Sequence, residues 1–216
     1  MNPEPIREFI ADTLAQPVLD PRPRALYELC HMHRHHGQGD IVADKLRMIV
    51  RLLADAGLPL GGFSPEYVAH RLVRSGVDGW FSAIATAERI EPPLLFEVHG
   101  RAMGVFSELP PEQARAIAST YLHFHFPELF FLYDPKLTAA AYALGGTCGD
   151  PSDCRHDPEY GRFFACCEEL THRLIGPAGR RLTPRELDRV LRAWADRSDL
   201  AAPAGACRAA EDLVCA

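Results

Sequence analysis

Residues 109–144 read LPPEQARAIASTYLHFHFPELFFLYDPKLTAAAYAL. Pro110 and Pro111 can begin a helix but cannot sit inside one, because proline lacks the amide proton and its ring clashes with the preceding turn. The next breakers are Pro127 and Pro135. A helix of about Glu112 to His125 is therefore predicted, ended by Phe126-Pro127, with a second helix from Pro135 through Leu144. Seven aromatic side chains crowd the stretch: Tyr121, Phe124, Phe126, Phe130, Phe131, Tyr133 and Tyr142. Asp134 stands among them, directly before Pro135. The run Phe130–Tyr133 is strand-like but short.

Outward from this centre the chain repeats one pattern, apolar residues three and four apart, which marks amphipathic helices. Toward the N-terminus, helices are predicted at Glu4 to Gln16, about Arg24 to His36, from an Asp40 N-cap to Gly57, from Ser64-Pro65 to Arg74, around Trp80 to Ala85, and from Pro93 to Glu108. The segment 18–23 reads as a proline linker, and Gly37-Gln38-Gly39 as a glycine helix stop. Toward the C-terminus, helices are predicted at Tyr160 to Ile175 and after Thr183. Thr183 and Glu186 form a capping-box pattern, in which each satisfies an otherwise unpaired amide of the other. No stretch alternates with period two for long. The expected fold class is all-α, with eight to ten helices joined by short connections. Residues 1–200 form one domain, or two interleaved lobes around a central core at 93–144. Residues 201–216, rich in alanine, form a loosely held tail.

Composition narrows the functional classes. The chain has 216 residues, 47% hydrophobic and 24% charged, with a net charge of −6. That is ordinary for a globular protein long enough to bury a substantial core. The acidic balance opposes tight non-specific binding to nucleic acid, which needs a basic excess. No run of eighteen apolar residues suggests a membrane span, and the N-terminus has neither a secretory nor a transit pattern, so no membrane contact and a cytoplasmic location are expected. The seven cysteines contain no CxxC pair, and are expected to be reduced, small buried hydrophobes.

The order Leu109-Pro110, helix, Pro127, aromatic run, Asp134, then Lys136-Leu137 resembles the helix-hairpin-helix superfamily of DNA glycosylases, the 8-oxoguanine-glycosylase-like fold, and its uncharacterised bacterial members. The resemblance implies a duplex DNA or nucleotide partner and a base flipped into a pocket between two helical lobes. It also implies Asp134 as the catalytic acid that stabilises the sugar cation. Tyr121, His123 and Tyr133 would line the pocket. Arg115 and Lys136 would join Arg71, Arg74 and Arg101 in a positive rim. The chain departs from the family where the hairpin grips phosphate: Pro111 and Gln113 stand at its two glycines. Arg115 is the nearest equivalent of the family's imine-forming lysine, and arginine stays protonated.

The residues alone also support a plainer alternative. Asp before Pro is an ordinary N-cap with proline at the first helical position, and aromatics at helical spacing are usually core. On that alternative the chain is a non-enzymatic protein-interaction module that keeps the fold without the chemistry. No metal or cofactor is expected. His31 and His35, at i and i+4, could share a helix face and a metal, but no third ligand is indicated near Cys30, His33 and His36. The spacing of Cys148, Cys154, His156, Cys166 and Cys167 fits no specific zinc pattern.

Overall fold

The computed structural model describes residues 3–17, 20–144, 154 and 156–197. The predicted tail at 201–216 and the Cys148 portion of the second cysteine group lie outside the described residues. Eleven helices occur among them and no strand. They are α1 (Pro3–Ala15), α2 (Pro21–Met32), α3 (Gly39–Asp55), α4 (Pro65–Arg74), α5 (Val77–Thr86), α6 (Pro92–Val105), α7 (Pro111–His125), α8 (Pro135–Ala143), α9 (Pro158–Arg173), α10 (Ile175–Ala178) and α11 (Pro184–Arg197). The all-α expectation holds. The helix beyond the predicted range is α10, a single turn after Leu174 that closes on Gly179, whose φ of 74° is in the left-handed region.

The opening stretch is the centre of the molecule. Every residue of α7 from Ala114 to Phe124 is buried. A helix buried on all sides cannot be amphipathic, and α7 solves this with small residues. Ala114, Ala116, Ala118, Ser119 and Thr120 let α2, α3 and α6 pack close. The hydroxyls of Ser119 and Thr120 turn back to the Ala116 carbonyl, at 3.0 and 2.7 Å.

After α7 the chain crosses the core without regular structure from Phe126 to Asp134. A buried connector must still satisfy its backbone, and here side chains do so. Ser119 Oγ accepts the Tyr133 amide at 3.1 Å. The Phe130 carbonyl accepts from His123 Nδ1 at 2.7 Å, and the Phe131 carbonyl from the Tyr160 hydroxyl at 3.1 Å. The strand-like run is therefore an extended segment held by side chains rather than by a sheet.

Helices α2 to α7 pack mainly on one another, while α1 packs on α10 and α11 from the far end of the chain. Arg189 of α11 ties the two termini together by donating to the carbonyls of Thr13 and Gln16, at 2.8 and 2.7 Å, near the C-terminal end of α1. The capping box is present: Glu186 Oε2 accepts the Thr183 amide at 3.0 Å, and Thr183 Oγ1 accepts the Glu186 amide at 3.3 Å.

Two boundaries correct the sequence reading. Asp20 accepts the Arg22 amide at 2.9 Å and Pro21 takes the first helical position, so α2 starts inside the supposed linker and stops at Met32. His33 to His36 consequently leave the helix. His31 and His35 do not share a helical face, and no metal-holding group of histidines, cysteines and acids occurs among the described residues. Asp40 lies in the first turn of α3, with Gln38 at the N-cap position.

Candidate functional site

The six residues singled out by the sequence fall into separate neighbourhoods. Asp134 is fully buried. Its Oδ1 accepts the Leu137 amide at 2.7 Å as the N-cap of α8, and its Oδ2 accepts from Arg192 Nη2 of α11 at 3.3 Å. Burial pushes the carboxyl pKa up, against the pull of Arg192 and the Leu137 amide. Both oxygens are engaged in holding α8 and α11.

Arg115 and Tyr133 share a second neighbourhood. Arg115 makes a two-pronged ion pair with Asp157, Nε to Oδ2 at 2.7 Å and Nη2 to Oδ1 at 2.9 Å. Its guanidinium lies 5.2 Å from the Tyr133 ring, and the Tyr133 hydroxyl donates to Glu159 at 2.6 Å. His123 is buried deeper. The Phe130 carbonyl can only accept, so His123 Nδ1 carries the proton, and Nε2 accepts from the Tyr27 hydroxyl at 2.6 Å. Lys136 is at the surface, paired with Asp196.

Of the five cations expected in a positive rim, four are paired: Arg71 with Glu108, Arg101 with Glu97, Arg115 with Asp157, and Lys136 with Asp196. Arg74, in the last turn of α4, has no ion pair among the described residues. Asp134→Ala is expected to cost about 2 kcal/mol, the upper end for a lost N-cap. Asp134→Asn keeps a capping oxygen and should cost under about 1 kcal/mol. Urea denaturation midpoints check both.

The remaining member, Tyr121, leads to a polar cluster behind a cavity. Between the α2–α3 connection, α5 and the segment after α7 lies a cavity of about 620 Å³. Phe81, Phe126, Leu129 and Ala85 supply apolar wall, and the His125 ring lines it too. Phe81 and Phe126 meet edge to face with centroids 4.8 Å apart. Arg34, His35, Asp78, Ser82 and Glu128 supply the polar lining.

A polar cluster lies behind this wall. Asp78, in the first turn of α5, accepts from His36 Nδ1 at 2.6 Å and from the His36 amide at 3.1 Å. Burial pushes Asp78 up, but the bonds from His36 outweigh it and hold the carboxyl below its usual value. The His36 ring is itself buried, which lowers its pKa despite Asp78. The pair is therefore a carboxylate and a neutral imidazole protonated on Nδ1. Among the described residues His36 Nε2 has no partner, and neither has the buried Tyr121 hydroxyl; the two rings are 5.8 Å apart.

Lys45 completes the cluster. It lies on the inner face of α3 and is fully buried. Its Nζ donates to the His33 carbonyl and, at 3.0 Å, to His125 Nε2. His125 Nδ1 faces the Tyr121 carbonyl at 2.8 Å, so this ring too is neutral, protonated on Nδ1 and accepting on Nε2. Desolvation drives the pKa of Lys45 down, and that of His125 well down. Buried ionisable groups against an aromatic-walled cavity are what a binding or catalytic site presents.

A second hollow, of about 340 Å³, is lined by Leu95, Phe164 and Leu182 among others. The surface pair of Arg181 and Glu168 is its main polar feature. The six predicted site residues line neither hollow.

Sequence reasoning passed over Lys45, Asp78, Phe81 and the pairing of His125. One signal was available. Lys45 occupies an inward position of α3, between Val42 and Ile49, where an apolar residue is expected. The His36–Asp78 pair had no comparable signature, since its members are 42 residues apart. Comparison with family models, curated proteins and solved structures gives no match for this chain.

Proposed function

We propose that this protein binds a small, flat ligand in the cavity between the α2–α3 connection, α5 and the segment after α7. The observation that carries the proposal is the composition of that cavity. About 620 Å³ of space has aromatic walls and a lining histidine backed by a buried lysine. The size falls in the usual range for small-molecule sites, and apolar walls with a few placed polar groups are their usual chemistry. A nucleobase, the ligand implied by the glycosylase resemblance, is one flat body of suitable size.

Calorimetry against nucleobases and simple aromatic compounds tests this reading. Ser82 and Ala85 are exposed and line the cavity, so Ala85→Trp fills it without disturbing the core. Wild-type protein is expected to bind at least one flat compound, and Ala85→Trp to weaken that binding tenfold or more. Equal affinity in the two proteins would place the ligand elsewhere.

Base excision is the second function to test, because the resemblance implies it for Asp134. It would require the carboxylate to leave Leu137 and Arg192 and to meet a base. Release of free base from damaged duplexes, present in wild type and lost in Asp134→Asn, would replace the binding proposal with that one.

A further inference from the structure

Lys45 is a buried ammonium without a carboxylate. Among the described residues its recorded partners are the His33 carbonyl and the neutral His125 ring, and no acid lies within ion-pair distance. Buried charges are ordinarily paired, since an uncompensated one loses its hydration with little return. The other buried cation, Arg115, follows that rule with Asp157 and Glu159. The nearest acid to the Lys45 cluster, Asp78, is already held by two hydrogen bonds from His36.

Lys45 also stands one ring from the cavity, because His125, its acceptor, lines the wall. Behind that wall His36 Nε2 is buried and, among the described residues, unpartnered. The cavity thus combines aromatic walls with a lysine behind them that has no carboxylate within ion-pair distance among the described residues. Its charged lining is mixed: Arg34 and His35 stand there with Glu128 and with Asp78, whose carboxylate His36 engages.

We propose that the ligand of this cavity is an aromatic carboxylate, whose ring packs on Phe81 and Phe126 and whose carboxylate supplies the missing counter-charge for Lys45. The inference rests on the cavity being the binding site and adds the ligand's charge. The carboxylate replaces His125 Nε2 as the acceptor of the Lys45 proton, and the imidazole turns aside within the wall. A charge-assisted hydrogen bond in a desolvated setting is stronger than the neutral one it replaces. A lysine rather than an arginine suits this geometry. Its single nitrogen can hold the His33 carbonyl and one further acceptor, whereas a guanidinium would need a wider site. Lysine is also scarce here: the chain has two, Lys45 and Lys136, among 23 basic residues.

The test compares benzoate with benzyl alcohol, which keeps the ring and loses the charge, on wild type, Lys45→Met and Ala85→Trp. Calorimetry gives affinities, and thermal denaturation follows folding in each protein. Wild type is expected to bind benzoate at least tenfold more tightly than benzyl alcohol, and Lys45→Met to abolish or reverse that preference. Thermal denaturation without ligand shows whether Lys45→Met is folded, since it frees two buried acceptors; benzoate should raise the melting temperature of wild type alone. Equal binding of the two compounds by wild type, sensitive to Ala85→Trp, would overturn the charge assignment and leave the cavity as the site. A benzoate preference that survives Lys45→Met would overturn the role of Lys45. Binding of neither compound to wild type would overturn the carboxylate ligand. Binding of other flat compounds that Ala85→Trp does not weaken would remove the cavity itself.

Discussion

Replacing Arg115 with alanine is expected to destabilise the protein by about 3–5 kcal/mol, the range for breaking a buried ion pair by removing one partner. The side chains of Arg115 and Asp157 are only 9% and 4% exposed. Without the guanidinium, Asp157 would keep a buried charge and lose both of its 2.7–2.9 Å donors. Glu159 and the Tyr133 ring would lose the cation between them. In a chain of this size the melting temperature should fall by roughly 10 °C. Arg115→Lys should recover only part of the loss, because a point charge cannot reproduce the two-pronged geometry. The double replacement Arg115→Met with Asp157→Leu should recover most of it, since an apolar pair of similar size avoids the desolvation cost altogether. If Arg115 instead served ligand binding, the single variant would keep its urea midpoint and lose affinity. That outcome would return Arg115 to the role implied by the glycosylase resemblance.

Arg115 shows what the sequence could and could not reveal. Its place on a helix between two proline breakers was legible, because proline acts locally and without regard to tertiary context. Its partner was not legible, because Asp157 lies 42 residues further on and an acid before Pro158 reads as another helix start. The same contrast runs through the molecule. Ser64 before Pro65 and Thr183 with Glu186 were read from spacing and are found capping as expected. Asp20 before Pro21 carries the same local signal but was masked by the surrounding prolines, which suggested a linker. That error displaced the start of α2, while taking Gly37 as the helix stop kept the histidines at 33–36 on a helix they do not join.

The candidate site depended on the misplaced segment. Only when His33 to His36 leave α2 can the His33 carbonyl reach Lys45 and the His36 ring reach Asp78. Asp134 was conspicuous because it stood among aromatics in the densest stretch of the chain. Its surroundings are dense for the reason α7 is buried throughout, which is packing. Lys45 was inconspicuous because lysine on a helix usually faces water, and only its inward register marks it.

Lowering the pH from 7 to 5 is expected to destabilise the protein, and the cause is histidine burial rather than carboxylate protonation. Four histidines are held neutral. Desolvation pushes His99 down to about 4, lowers His36 and His123, and takes His125 well below its ordinary value. Asp157 acts on His99 in the opposite sense, as Asp78 does on His36, but burial outweighs both. A depressed histidine pKa stabilises the fold fully above the unfolded value near 6.5. The stability is lost as pH falls from there toward the folded value, because the unfolded chain takes up protons the native state refuses. Each fully suppressed histidine contributes roughly 2 kcal/mol of this loss by pH 5. Asp134, whose carboxyl is raised by burial, acts the other way and softens the decline at its acid end.

His99 is the member to isolate. Its ring stacks on Tyr160 at 3.7 Å, almost parallel, and among the described residues neither nitrogen has a hydrogen bond of normal geometry. His99→Phe keeps the stacked ring, removes two unsatisfied polar atoms worth about 1–3 kcal/mol, and removes one titrating group. The variant should therefore be more stable than wild type at pH 7, and the gap should widen by roughly 2 kcal/mol at pH 5. Urea denaturation of both proteins at the two pH values measures the gap directly. A gap that stays constant would mean that His99 protonates in the folded protein as readily as in the unfolded chain. The acid sensitivity would then have to come from His36, His123 and His125 alone, two of which lie at the cavity where a bound carboxylate would alter their titration.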